Sequence, residues 1–213
     1  MSSSTLARLQ EGCHALGLSL SGEAQRQLLR YLELLQRWNR AYNLTAVRES
    51  DQMLTRHLLD SLAVAPHVQG LRCLDVGTGA GLPGVPLAVA MPQRVFALLD
   101  SNGKKTRFLF QVKTALALAN MEVHQARVES FNDAGGFDVI LSRAFSSLDD
   151  MVRSSRHLLA DGGRLLAMKG VYPAGELAEV SEQATVLGVH TLSVPGLSEQ
   201  RHLVEMSLPE AVA

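Results

Sequence analysis

The chain is poor in the features that announce several common protein classes. Its 213 residues include two cysteines, Cys13 and Cys73, far apart and neither in a C-x-x-C pair. That spacing excludes a disulfide framework and reads as buried thiols in a reducing compartment. The seven histidines, at 14, 57, 67, 124, 157, 190 and 202, lack metal-ligand spacing, so no metal is expected. No apolar run approaches the ~20 residues of a membrane span, and the start, Met1-Ser2-Ser3-Ser4-Thr5, has no basic region followed by an apolar core. A soluble, cytoplasmic protein is the expectation. Internal repeats and low-complexity segments are also missing. Nor does the formal net charge of -1 carry the signature of a nucleic-acid binder. Positive charge is only local. Lys104, Lys105, Arg107 and Lys113 fall in an acid-free stretch, whereas Arg26, Arg30, Arg37, Arg40, Arg48 and Arg56 are diluted by Glu23, Glu33, Glu49 and Asp51. Charge alone leaves a solvated helix face and a phosphate-binding face both open.

What is present centres on residues 74–84, Leu-Asp-Val-Gly-Thr-Gly-Ala-Gly-Leu-Pro-Gly. An apolar run leads into glycines 77, 79, 81 and 84, and a small-residue helical pattern follows, which spells strand, tight turn and helix start. The glycines suit backbone angles that a Cβ resists and let a ligand approach the main chain. Residues 79, 81 and 84 satisfy G-x-G-x-x-G, so a dinucleotide fold is formally allowed, with Asp100 as its ribose ligand. Asp75, two residues ahead of Gly77, is expected to face the ligand. There it would repel a pyrophosphate and favour a cation such as the sulfonium of S-adenosylmethionine (SAM).

The length suits one α/β domain with an extension. The N-terminal part, residues 1–66, reads as a helical extension packed on the core, and residues 67–213 as the core itself. Apolar spacing predicts a helix over 5–16, a longer one from an N-cap at Ser21 to about Arg40, and a third over 51–65. Trp38 reads as a core anchor of this cap, with base stacking as the lesser alternative. The polar and aromatic loop 39–45 reads as packed. In the third helix Asp60 follows Arg56 by four residues, the spacing of an intrahelical ion pair, and His57 reads as a satisfied buried histidine, with a group facing the site as the lesser alternative. Strands over 71–76, 94–99, 121–124, 137–141 and 164–168 alternate with helices near 84–91, 104–118 and 148–159, which implies a parallel sheet. A helix near 174–186 precedes two runs, 189–194 and 202–207, that read as an antiparallel pair closing the sheet edge.

Ligands of an open parallel sheet bind beyond the carboxyl ends of its strands. Those ends carry Asp75 to Gly81, Asp100 and Ser101, Val128 and Glu129, Arg143, and Lys169. The Asp100 carboxylate has oxygens enough for both ribose hydroxyls. Val128 and Glu129 suit the edge of an adenine, although Glu129 serves equally as a helix-start carboxylate. Arg143 suits a phosphate or the cofactor's carboxylate and Lys169 a phosphate, with simple pairing to nearby acids as the alternative for both. Strand 4 is not followed by an Asn- or Asp-Pro-Pro-Tyr motif, no Pro-Cys dipeptide offers a nucleophile, and no Ser-His-Asp or Cys-His set is apparent.

Residues 75–84, Leu98-Leu99-Asp100-Ser101 with 104–109, Arg127-Val128-Glu129, Ser142-Arg143-Ala144 and Lys169-Gly170 occur in order, together with 37–45 and 56–61. In this set the chain resembles the ribosomal RNA small subunit methyltransferase G family, also called glucose-inhibited division protein B, from about Leu18 to Met206. The resemblance implies a class I SAM-dependent methyltransferase, Rossmann-like, with a mostly parallel seven-stranded sheet. It implies methylation of N7 of one guanine in the decoding-region (530) loop of 16S rRNA, with S-adenosylhomocysteine as by-product and 16S rRNA or a 30S particle as partner. It places Gly77, Leu82, Val128, Glu129 and Arg143 at SAM-contact positions, beside Asp75, Thr78, Gly79, Gly81, Asp100 and Ser101 from the same motifs. Guanine N7 loses no proton on methylation, so positioning without a catalytic base is expected. Lys104, Lys105, Arg107, Arg143 and Lys169 are the candidates for RNA contact, and a monomer is expected. The rival readings are a SAM enzyme with another acceptor, a nicotinamide oxidoreductase, which Asp75 opposes, and a ribosome-binding module that retains SAM.

Overall fold

The computed structural model describes residues 3–143, 145–180 and 183–209. Its strands are β1 (Arg72–Val76), β2 (Val95–Asp100), β3 (Met121–Gln125), β4 (Phe137–Ser142), β5 (Leu159–Lys169), β6 (Thr185–Thr191) and β7 (His202–Ser207). They form one sheet in the order β3-β2-β1-β4-β5-β7-β6. The first five pair in parallel, while β7 runs antiparallel to both β5 and β6. The helices are α1 (Ser3–Ala15), α2 (Gly22–Tyr42), α3 (Ser50–Met53), α4 (Asp60–Leu62), α5 (Gly84–Ala90), α6 (Gly103–Leu116), α7 (Leu148–Ser155) and α8 (Ala174–Glu179), and a π-helical turn (Leu54–Leu59) joins α3 to α4. No helix among the described residues is long and apolar enough to cross a membrane.

Side chains alternate across a strand, so a sheet covered on both faces needs apolar residues at odd and even positions alike. Cys73, Phe96, Leu98, Val139, Leu141 and Leu166 enter one core cluster, and Leu74, Val76, Ala97, Leu99, Ile140 and Leu165 enter the other. The first cluster also takes Leu9, Leu28, Leu32, Leu58 and Leu62 from the N-terminal helices and Phe108, Leu109 and Val112 from α6. Burial of each such leucine is worth roughly 1.5–3 kcal/mol, and the N-terminal helices therefore share the core of one sheet face.

In α2, Ser21 Oγ accepts from the Ala24 N–H at 3.1 Å, satisfying a first-turn donor. At the other end Asn43 adopts the left-handed conformation (φ 49°) and its N–H reaches the Asn39 carbonyl, so the helix runs two residues beyond Arg40. Halfway along, the buried Tyr31 hydroxyl donates to the Ala80 carbonyl at 2.8 Å and fastens α2 to the glycine turn.

Three local expectations are corrected. The π turn interrupts the third helix, so residues four apart no longer sit one above the other. Arg56 pairs with Glu199 instead, and Asp60 accepts from Arg143 and Arg201. The helix expected to 186 ends at Glu179, and the β-branched Thr185 and Val186 already pair with Ser207 and Met206. β5 begins at Leu159, with residues 161–163 a bulge within it: Phe137 faces Leu159, whereas Val139 faces Arg164.

Tyr31→Phe should lower stability by about 1–3 kcal/mol, because it leaves the carbonyl of the buried Ala80 without its donor. Urea unfolding with an unchanged far-UV spectrum is the check. An unchanged midpoint would mean that this bond does not couple α2 to the turn.

Candidate functional site

The glycine turn is fastened from below by Asp75. This side chain is fully buried; its Oδ2 accepts from Thr78 Oγ1 at 2.6 Å and from the Gly84 N–H at 2.8 Å, and its Oδ1 has no partner. Burial raises its pKa to about 6, against the opposing pull of the Thr78 and Gly84 bonds. Asp75 was expected to face the ligand. Its contacts lie under the turn instead, and it lines neither the cleft, the hollow nor the cavity described below. Its contact with Gly84 also occupies the start of α5, the N–H site that a dinucleotide's pyrophosphate would need. A Cβ on Gly84 would lie 2.7 Å from Asp75 Oδ2, so only glycine admits this contact. Gly77, Gly79 and Gly81 all have positive φ, and the Gly77 and Thr78 N–H groups bond the Leu99 carbonyl at the end of β2.

Above the turn lies a cleft of about 400 Å³, lined by Gly77, Asp100, Ser101, Lys105, Val128 and Glu129, with Val76, Leu99, Ala126, Arg127 and Phe145. Asp100, at the end of β2, accepts from the Gly79 N–H at 2.9 Å through Oδ2 and from the Asn102 N–H at 2.8 Å through Oδ1. Oδ1 keeps a second lone pair for a hydroxyl, while the second on Oδ2 is engaged by the Lys105 ammonium, which a second hydroxyl would displace. Lys105 Nζ stands 3.5 Å from Asp100. Thr78, Gly79 and Leu82 line an adjoining hollow with Gly77, Arg143, Leu44 and Thr45. Gly81 lines neither; a Cβ there would press on Val85 and Leu109, so its role is close packing of turn against helix.

A third cavity, of about 390 Å³, joins Arg143 to Thr45, Arg56, His57, Asp60, Lys169, Arg201 and His202. Asp60 is its buried anchor, accepting from Arg201 Nε at 2.9 Å and Arg143 Nη1 at 3.3 Å. His57 shares a hydrogen bond with Thr45 Oγ1 at 2.9 Å through Nε2, but its Nδ1 has no partner, so the buried histidine is only half satisfied. Burial, and then the Arg143 charge, lower its pKa to about 4, which keeps the ring neutral at physiological pH. Lys169 pairs with Glu176 at 2.8 Å and is mostly buried. Lys104 and Arg107 are exposed on α6, line none of these cavities and have no ion-pair partner among the described residues.

The sequence reading missed Leu44, Thr45, Asp60 as an anion in the site, Arg201 and His202. The loop motif carrying Leu44 and Thr45 was a usable signal. Nothing in the spacing of Arg201 from Asp60 announced their contact. Among the described residues no group of three His, Cys, Asp or Glu side chains is arranged to hold a metal ion.

Residues 24–204 match the family model described as GidB, rRNA small subunit methyltransferase G. The chain is 55% identical to the ribosomal RNA small subunit methyltransferase G of Stutzerimonas stutzeri, over 96% of each chain. It is 51% identical to that of Saccharophagus degradans, over 95% of this chain and 91% of the other. Among solved structures it resembles the glycopeptide N-methyltransferase MtfA in complex with SAM (TM-score 0.61, 12% identity, 72% of this chain and 87% of the other). It also resembles the N-methyltransferase NodS from Bradyrhizobium japonicum (TM-score 0.55, 16% identity, 77% and 100%). At these identities the two structures speak for the fold.

The buried Asp75 gives a pH test. Its raised pKa means that its contribution to stability is fully present below the ordinary value of 3.8 and is lost as pH rises through about 6. Asp75→Asn removes that dependence. In cofactor-free protein the melting temperature of the variant, relative to the parent, should rise between about pH 4 and pH 7. A difference that stays flat would contradict a raised Asp75 pKa.

Proposed function

The chain belongs to the rRNA small subunit methyltransferase G family, and from that premise we propose that it transfers a methyl group from SAM to N7 of a single guanine in the decoding-region (530) loop of 16S rRNA. The observation that carries the cofactor half of this reading is the cleft over the glycine turn, with a fixed, buried Asp100 carboxylate at one end and Val128 and Glu129 at the other. Its size and polar groups fit a nucleoside: Asp100 for the ribose hydroxyls, Ser101 beside it, and the Val128–Glu129 main chain for the adenine edge. The start of α5 is closed to a pyrophosphate by Asp75, which disfavours the nicotinamide alternative.

Held by Asp100, Val128 and Glu129, SAM would supply a sulfonium methyl for the N7 lone pair, the N–C bond forming as the S–C bond breaks to leave S-adenosylhomocysteine. The chain's own residues have no proton to remove. Gly77 and Gly79 allow close approach to the main chain. Arg143, in the hollow beside them, is held by Asp60 and suits either the cofactor's carboxylate or an RNA phosphate. The neutral His57 ring places no further positive charge beside it. N7 lies on an edge that a regular RNA helix hides, so an unpaired or distorted loop is the acceptor that such a site can reach. The protein acts as a cytoplasmic monomer on 16S rRNA or a 30S particle; the exposed Lys104 and Arg107 contribute to RNA attraction, whereas the charges of Lys105 and Lys169 are engaged by Asp100 and Glu176.

Labelled methyl from SAM should enter 16S rRNA or 30S subunits lacking the modification, at one N7-methylguanine located by cleavage mapping. Label at another atom or another loop would contradict the reading. Because no base is needed, kcat should stay flat from about pH 7 to about pH 9. A bell-shaped profile in that range would point to proton transfer and against N7.

A further inference from the structure

The C-terminal half of α2 and the facing side of α6 carry a feature that the cofactor site does not use. Leu34, Arg37, Trp38, Ala41 and Tyr42 of α2 and Gln111 of α6 enclose a cleft of about 380 Å³. Trp38 packs on Phe108, with ring centroids 5.6 Å apart, and lies against Tyr42 at 5.2 Å and 33°. Tyr42 is 46% exposed, and Phe110, also on α6, is 52% exposed. A half-buried tryptophan with an open aromatic neighbour is a platform already desolvated on one side, the arrangement on which a flat ring stacks.

Beyond Glu33, which pairs with Arg30, the chain segments that form this cleft carry only positive charge. Residues 34–48 contain Arg37, Arg40 and Arg48 and no acid, and residues 101–121 contain Lys104, Lys105, Arg107 and Lys113 and no acid. Arg26 and Arg30, nearer the start of α2, are paired with Glu23 and Glu33, but Arg37, Arg40 and Arg107 have no ion-pair partner among the described residues. In a chain of net charge -1 this is a local cationic surface built around an aromatic cleft. It adjoins the cofactor end of the sheet, since α6 starts directly after Asp100 and the chain leaving Tyr42 reaches Leu44 and Thr45 in the hollow beside the glycine turn.

We propose that the α2–α6 face binds single-stranded RNA, with one unpaired base stacked against Tyr42 and Trp38 and the flanking phosphates on Arg37 and Arg107. The stacked nucleotide is a neighbour of the methylated guanine, held so that the target reaches the cofactor cleft. This rests on the RNA reading above and adds to it a second nucleotide site. Stacking reads no base edge, so the site grips the loop without selecting its sequence.

The chain has a single tryptophan, so its emission reports directly on the cleft. Titration of the full-length protein with an unpaired oligoribonucleotide spanning the decoding-region loop should quench Trp38 emission saturably. SAM alone should not. Tyr42→Ala should weaken RNA binding by about tenfold, and Tyr42→Phe should restore most of it. Arg37→Glu combined with Arg107→Glu should weaken binding and lower the slope of log affinity against log salt by about 1 per lost phosphate contact. SAM affinity should be unchanged in all of them. Methyl transfer to the oligonucleotide by the parent, with silent Trp38 emission and undiminished affinity in Tyr42→Ala, would overturn this site and leave the methyltransferase reading standing. A parent protein that neither binds nor methylates the RNA would overturn both.

Discussion

A buried carboxylate organises the site. Asp75 holds the Thr78 hydroxyl and the Gly84 N–H from beneath, so the glycine turn and the start of α5 are fixed to the end of β1 before any ligand arrives. Tyr31 adds a tie from α2 and the Leu99 carbonyl one from β2. The cost of burying the charge appears as a pKa raised to about 6. What results is a rigid floor under the cleft, and rigidity is what a reaction driven by positioning needs.

The second constraint is the cationic cavity anchored by Asp60. Two guanidiniums distant in sequence converge on one buried carboxylate, Arg143 after β4 and Arg201 before β7. The arrangement fixes Arg143 at the border between cofactor hollow and cavity. It also explains why the helix carrying Asp60 contains a π turn: that geometry delivers Thr55, His57 and Asp60 all to buried positions. The N-terminal helices are thus part of the site wall as well as of the core.

Legibility in the sequence followed the range of the interaction. The Asp75–Gly84 turn, the Ser21 cap and the parallel strands were readable because each is written within a few residues, in glycine spacing, a capping hydroxyl or an apolar run. The antiparallel edge was readable from a Pro-Gly turn between two apolar runs. The expected Arg56–Asp60 pair failed because a π turn is set by packing that a spacing rule does not see, and because Arg201 lies 141 residues away. Likewise, residues 174–186 carry enough helix formers to suggest one long helix, yet pairing with β7 claims Thr185 onward. Asp75 itself was recognised as important, but its direction was not: whether a strand carboxylate faces ligand or turn depends on what the loop above it offers.

The most direct test of this account is a crystal structure of the protein with S-adenosylhomocysteine. The account predicts the ribose hydroxyls on the Asp100 carboxylate, the adenine against Val128 and Glu129, and Asp75 still bonded to Thr78 and Gly84 without touching the ligand. A nucleoside seated instead in the Asp60 cavity or the Trp38 cleft, or contacted directly by Asp75, would contradict it.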